Sequence, residues 1–272
     1  MKNKYYLNEF SKETNEVADK LRLFDDDFMK LVFSNNKEAV ECVLNIILER
    51  DDLIVEEVTS QDYIKNLFGY RDLRIDVYAK DKNGKEYNIE IQRANSGAST
   101  QRARFHSAMI DSKMLLKGQD YKDLKESFVI FVCEDDFFKG NLPIYHVDRI
   151  VDEINKPFED GSHIIYVNGK FKDTSSDIGR LVHDFSCVEP SSMYIKPLKK
   201  VSEHYKQVSG GRKDMCQLID DLARTRYKTD WERKSVSDII KFVNSGMDVN
   251  RVFEILETDD HIKKLVLEEL NK

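Results

Sequence analysis

The sequence predicts an α/β core followed by a region of helices only. Three patterns predict it. Between Asp27 and Glu49 the apolar residues Phe28, Leu31, Val32, Ala39, Val40, Val43, Leu44 and Ile47 recur at helical spacing. Leu73, Ile75, Val77 and Ala79, and then Tyr87, Ile89 and Ile91, alternate with polar residues at a period of two. Phe128-Val129-Ile130-Phe131-Val132-Cys133 is a continuous apolar run of strand length, the pattern of a strand buried on both faces.

In chain order, residues 1–23 are polar and mixed and read as an N-terminal lead-in, loosely held. Ser34-Asn35-Asn36 splits the first helical stretch into two pieces, and Leu53-Ile54-Val55 opens the first strand. Asp81-Lys82-Asn83-Gly84-Lys85 lies between the two alternating stretches and signals a hairpin. Ser96-Gly97-Ala98-Ser99 is a loop from which Ser99 or Thr100 caps a helix running to Lys117, with Gly118 as its stop. After the buried strand, Ile144–Val147 and His163–Val167 read as strands, Asn168-Gly169 as a turn and Ser176–Phe185 as a helix. The pattern loosens from Glu189 to Pro197. The core is therefore expected over residues 24–190 and a helical C-terminal region over 195–272. Helices there are expected to start at Ser235, at Asp248 and at Asp259 or Asp260, the first ending at Gly246.

Composition excludes several classes. Apolar residues are 40% of the 272, which excludes wholesale disorder, and 43 Lys+Arg against 50 Asp+Glu give a net charge of −7. No run approaches the roughly 20 apolar residues of a membrane span, and the charged start carries no secretory segment, so a cytoplasmic protein without a membrane partner is expected. Cys42, Cys133, Cys187 and Cys216 are far apart with no CxxC, which argues against a disulfide scaffold or a zinc site. No glycine-rich phosphate loop occurs, so no nucleotide cofactor is expected. His106, His146, His163 and His183 show no metal-ligand spacing, and Trp231 reads as a packing anchor.

The chemistry-bearing pattern is Asp76, thirteen residues, then Glu90-Ile91-Gln92. Turn geometry decides whether the two acids meet. A two-residue turn at Asn83-Gly84 would pair Asp76 with Ile91 and leave Glu90 on the opposite face. A three-residue loop, Lys82-Asn83-Gly84 with Gly84 left-handed, pairs Asp81 with Lys85 and sets Asp76 across from Glu90, with Gln92 further along the same face. The second register is the one expected. Facing carboxylates repel, and a hard divalent cation such as Mg²⁺ relieves that repulsion while clamping a phosphate oxygen and acidifying water. The alternative is a polar hairpin face that is only solvated.

These residues reach a resemblance. The order helix, three strands, helix, strand with D-x13-E-x-Q resembles the PD-(D/E)XK nuclease superfamily, and more narrowly its nuclease family transposases, relatives of the recombination-promoting nucleases. Asp27-Phe28-Met29-Lys30-Leu31-Val32-Phe33, Asp76-Val77, Asn88-Ile89-Glu90-Ile91-Gln92, Gln101-Arg102-Ala103 with Phe105, and Lys117-Gly118-Gln119-Asp120-Tyr121 carry it. So do Phe128–Phe131, Pro143–His146 and Ile165–Asn168, over residues 24–187 in all. The resemblance implies a restriction-endonuclease-like α-β-β-β-α-β core and a metal-dependent DNA endonuclease of the kind linked to transposition or recombination. It implies Asp76 and Glu90 as ligands of Mg²⁺, with Mn²⁺ as a substitute, and Gln92 in the superfamily's lysine position. It also implies that Asp27 can complete the site, although the acids at 25–27 could equally complement a helix dipole. Arg102 would contact phosphate or tie its helix to the site.

Charge distribution bears on the partner. Residues 1–60 hold 8 basic and 14 acidic groups, whereas residues 80–125 hold 10 basic and 6 acidic and residues 194–234 hold 11 and 6. The surplus surrounds the candidate site and the start of the helical region, where Arg212, Lys213, Arg224, Arg226 and Lys228 lie. DNA is the expected partner, with Arg93, Arg102, Arg104, Lys113 and Lys117 as candidate phosphate contacts, and a homodimer would suit double-strand cutting. The other reading is a catalytically inactive nucleic-acid-binding or interaction module on the same scaffold, favoured by the acidic balance and the missing lysine.

Overall fold

The computed structural model describes residues 10–64, 72–93 and 95–270. Three helices come first: α1 (Lys12–Lys20), α2 (Asp26–Phe33) and α3 (Lys37–Ile47). Asn35, in the left-handed region at φ 54°, makes the expected break between α2 and α3, and the Asn36 side chain then caps α3 by accepting from Ala39 N at 3.1 Å. Next come β1 (Val55–Ile64), β2 (Leu73–Asp81), β3 (Glu86–Gln92), α4 (Thr100–Met114) and β4 (Ser127–Cys133). They are followed by β5 (Ile144–Val147), a short ribbon of β6 (Ile150–Val151) and β7 (Lys156–Pro157), β8 (Ser162–Asn168) and α5 (Asp177–Ser186). Helices α6 (Lys196–Gln207), α7 (Ser209–Asn244), α8 (Val249–Ile255) and α9 (Asp260–Leu270) complete the chain.

The main sheet has the order β1-β2-β3-β4-β8-β5. β1, β2 and β3 form an antiparallel meander, β3, β4 and β8 run parallel, and β5 returns antiparallel to β8. The parallel step from β3 to β4 needs a crossover, and α4 supplies it. This is an α/β core with a mixed sheet flanked by helices, of restriction-endonuclease-like type, extended by C-terminal helices. Alternation divides the central strands into two faces. Val129, Phe131, Cys133 and Tyr166 lie under Ala103, Met109 and Ile110 of α4. Ile89, Ile91, Ile130, Val132, Ile165 and Val167 occupy the other face, and all are buried.

The chain divides into two compact units, Met1–Cys216 and Gln217–Lys272. In the first, residues 12–20 form a helix where the sequence suggested a loose lead-in. Its polar surface hides the reason: Arg212 reaches it, pairing with Asp19 at 2.8 Å and donating to Asn15 O at 2.8 Å. The second unit has its own small core of Ile239, Val252, Phe253, Ile262 and Val266.

Two helix boundaries differ from expectation. α4 stops at Met114, not Lys117, because Leu115 turns extended and Gly118, at φ 95°, serves the following turn. α7 starts at Ser209, far before Ser235, as one 36-residue helix. Apolar periodicity is weak over its first half, but no Gly or Pro interrupts it between Gly211 and Gly246. The caps at Asp248 and Asp259 form as expected.

Gly169 marks a close approach of the ends of β4 and β8. A Cβ there would meet Cys133 O at 2.3 Å and Glu134 O at 2.7 Å, both backbone atoms. Gly169→Ala is expected to cost about 2–4 kcal/mol and lower Tm by several degrees. Gly210→Ala, with nothing within 4 Å of its Cβ, should melt at or above the parent temperature. Matching melting curves for parent and Gly169→Ala would contradict this packing.

Candidate active site

The β2–β3 hairpin sets the site. Asp81 N donates to Lys85 O at 3.1 Å and Gly84 N to Asp81 O at 2.9 Å, closing the three-residue loop with Gly84 at φ 79°. The Asp81 carboxylate accepts from Asn83 N, Lys85 N and the Tyr87 hydroxyl, at 2.8, 3.0 and 3.0 Å, which rigidifies the turn. The ladder then runs from Lys80 opposite Glu86 to Val77 opposite Ile89. One step further places Asp76 opposite Glu90, the register expected from the three-residue loop.

Beyond Val77 the two strands part. β2 stays on β1 as far as Leu73 opposite Ile64, while β3 stays on β4 as far as Gln92 opposite Cys133. At this fork side chains replace the backbone ladder. Asp76 N donates to Glu90 Oε1 at 3.2 Å, and Ile91 N donates to Asp76 Oδ2 at 3.3 Å.

The fork is electrostatically crowded. Burial pushes the fully enclosed Glu90 carboxyl up to about 8, with the Asp76 charge adding to the rise and Arg102 opposing it. Asp76 is raised too, first by burial and then by the charge of Asp26; the Ile91 amide, Lys30 and Arg102 pull it the other way. The charge of Asp26, beside Asp27 on α2, thus reaches Asp76. Lys30 pairs with Asp26 and lies 3.9 Å from Asp27 Oδ1. Asp27 is the more enclosed of the two, with its side chain 27% exposed against 57% for Asp26.

α4 delivers the cation. Ser99 caps it, accepting from Arg102 N at 3.3 Å, and the Tyr166 hydroxyl donates to Ala98 O at 3.0 Å, pinning the turn before it. Arg102 Nη2 meets Glu90 Oε2 at 2.7 Å, Nη1 donates to Gly97 O at 3.1 Å and Nε donates to His106 Nε2 at 3.2 Å. His106, which no ligand spacing singled out, is buried at the centre of this arrangement, its Nδ1 2.7 Å from the Asn88 amide and 3.6 Å from Glu90 Oε1. Gln92 lies against Gly97 so closely that a Cβ there would fall 1.8 Å from Gln92 Oε1.

The other expected phosphate contacts are spread out. Arg93 is engaged in an alternating ion-pair cycle: it meets Asp25 at 2.9 Å and Glu134 at 3.4 Å, and Arg22 meets the same two acids at 3.6 and 2.8 Å. This cycle fastens the start of α2 to the ends of β3 and β4. Arg104 is exposed on α4. Lys113 lies over the Tyr78 ring at 3.9 Å, near the end of α4 and about 16 Å along its axis from Arg102. Lys117 is exposed beyond the helix. The side chains of Arg226 and Lys228 lie outside the described residues.

The donors at the fork are hard oxygens, and Asp76 Oδ1 accepts no hydrogen bond among the described residues. That chemistry fits a cation of the Mg²⁺ or Mn²⁺ type. A second donor group, His183, Asp184 and Cys187, brings its atoms within 4.8 Å of one another and is in principle capable of coordinating a metal. Its carboxylate is committed elsewhere. Asp184 accepts from Tyr194 N and Ile195 N with both oxygens, and the Cys187 sulfur lies at nearly equal distances, 3.5 and 3.7 Å, from both ring nitrogens, off the lone-pair direction of either.

A family model described as PD-(D/E)XK nuclease family transposase matches residues 23–180, from α2 through the sheet and into α5. The chain belongs to this family. Membership in the PD-(D/E)XK nuclease superfamily is consistent with nuclease-like activity and with a DNA partner in general. A search of curated proteins and a search of solved structures each found no match. Among the described residues no helix is long and apolar enough to cross a membrane.

The family fold and the crowding of its two acids generate two predictions. In chelator, a carboxyl raised in the folded state loses stability as pH climbs from its unfolded value toward about 8. Asp76→Asn keeps an oxygen for Ile91 N and removes the repulsion, so its Tm should exceed the parent's by a few degrees at pH 8 and converge on it at pH 5. An unchanged difference across that range would contradict the mutual repulsion. Gly97→Ala should displace the Gln92 amide without unfolding the chain, visible as shifted Gln92 side-chain amide resonances beside an unchanged Tm.

Proposed function

We propose that this protein is a metal-dependent DNA endonuclease, hydrolysing phosphodiester bonds with Mg²⁺ or, in its place, Mn²⁺. The reading rests on one observation above the others: two buried, mutually repelling carboxylates at a sheet fork, in a chain of a nuclease family. Asp76 and Glu90 would hold the ion, which supplies positive charge to a phosphate oxygen and acidifies the attacking water when bound. Asp27, beside Asp26 on α2, is an additional acidic group at the same end of the sheet. Gln92 is positioned to orient the water or the phosphate; an amide cannot act as a base at neutral pH. Among the described residues Arg102 uses three of its five N–H groups on the protein, and the other two would serve a phosphate oxygen.

Lys113, on the same side of α4 as Arg102, would add a phosphate contact, with Arg104 on the opposite side of the helix and Lys117 beyond its end as separate basic groups. Arg93 would contribute to DNA only by leaving its acid partners. The domain assignment is a nuclease-like domain over residues 24–190 and a helical region over 195–272, in a cytoplasmic protein that pairs as a homodimer if both DNA strands are cut.

A second reading, a catalytically inactive binding module, draws on the 2.7 Å contact of Arg102 with Glu90 and on Gln92 in place of lysine. An assay on supercoiled and linear DNA separates the two. The endonuclease reading expects cutting with Mg²⁺ or Mn²⁺, none in chelator, and a loss of about 10²-fold or more in Asp76→Ala with fold retained. Glu90→Gln should abolish Mn²⁺ binding. Equal cutting by Asp76→Ala and parent would refute the site; Mn²⁺-independent DNA binding without cutting would favour the module.

A further inference from the structure

We infer that His106 is a positioning residue that keeps Arg102 from closing over both oxygens of Glu90; the inference deepens the proposed site and rests on that reading. An arginine beside a buried carboxylate tends toward the side-on pair, with Nε and Nη2 each donating to one oxygen. Here only Nη2 reaches the carboxylate, at Glu90 Oε2, because the Nε hydrogen is taken by His106 Nε2 at 3.2 Å. Glu90 Oε1 is thereby left turned toward Asp76, whose backbone N lies 3.2 Å away. A guanidinium spread over both oxygens would compete with a cation for the same donors.

The histidine is built to hold this role. Arginine cannot accept a hydrogen bond, so His106 Nε2 must be the acceptor and the ring proton sits on Nδ1. At 2.7 Å from Nδ1 lies the Asn88 amide, fully buried on the same face of β3 as Glu90. The structure sets the amide nitrogen against Nδ1 and leaves the oxygen without a partner among the described residues; turning the amide over gives that oxygen the Nδ1 proton, at the expense of the nitrogen's bond to Glu90. The ring also packs against Phe131, with centroids 5.9 Å apart. Asn88, His106 and Arg102 thus form a chain in which each member fixes the next, ending on the carboxylate.

The test is Mn²⁺ affinity, read by electron paramagnetic resonance in the absence of DNA, with melting curves as the folding control. His106→Leu leaves Asp76 and Glu90 intact yet should weaken Mn²⁺ binding by about tenfold or more, the usual scale for a partner of a metal ligand. His106→Gln, whose amide oxygen can still accept from Nε, should bind like the parent. The decisive variant is His106→Leu with Arg102→Gln, which removes the competing guanidinium and should recover most of the affinity. A double variant as weak as His106→Leu, or a His106→Leu protein that binds like the parent, overturns the inference. The Arg102 Nε–H resonance gives an independent reading: protected in parent and His106→Gln if it donates to residue 106, and shifted in His106→Leu. A parent that binds Mn²⁺ but cuts no DNA removes the endonuclease reading and leaves this inference standing; a parent that binds no Mn²⁺ removes both.

Discussion

The structure around the site depends on one constraint: two carboxylates are forced together where a sheet divides. β3 follows β4 while β2 follows β1, so the hairpin that joins them must open at Asp76 and Glu90. Opening strips two residues of ladder bonds, and the carboxylates take over as acceptors for the exposed amides of Asp76 and Ile91. The acids are therefore held by the backbone they serve. Separating them to ease their repulsion would leave those N–H groups unpaired inside the protein, where each costs about 1–3 kcal/mol.

Other parts of the fold support that arrangement. The Asp81-centred turn fixes which residues face each other, five positions away from the acids. Tyr166 on β8 and Ser99 hold the start of α4, so the helix projects Arg102 into the fork from a fixed origin. The cycle of Arg22, Asp25, Arg93 and Glu134 fastens α2 to the strand ends, which brings Asp26 and Lys30 within electrostatic reach of Asp76. The polar groups of the fork sit on strands and a capped helix, with few degrees of freedom left to lose.

Much of this was legible in the sequence, for identifiable reasons. The period-two runs and the glycine at 84 fix both strands and their register, because a one-residue slip would put Ile89 and Ile91 on the polar face. The break at Asn35-Asn36 and the caps at Ser99, Asp248 and Asp259 are local chemistry that one sequence carries. What the sequence did not carry is tertiary. His106 and Asn88 look ordinary until β3 and α4 are brought together. Asp26 and Asp27 are indistinguishable until α2 is placed against β2. Arg93 reads as a free cation until Asp25 and Glu134 arrive from sequence-distant elements. The long α7 escaped because helix formers without an apolar stripe leave no period to count.

The central claim is that the fork gathers a divalent cation. The most direct measurement is a crystal structure grown with Mn²⁺, with its anomalous scattering used to place the metal. The account predicts a peak in contact with the carboxylate oxygens of both Asp76 and Glu90. A peak on His183, Asp184 and Cys187 with none at the fork, or carboxylates that stay metal-free at saturating Mn²⁺, would contradict it.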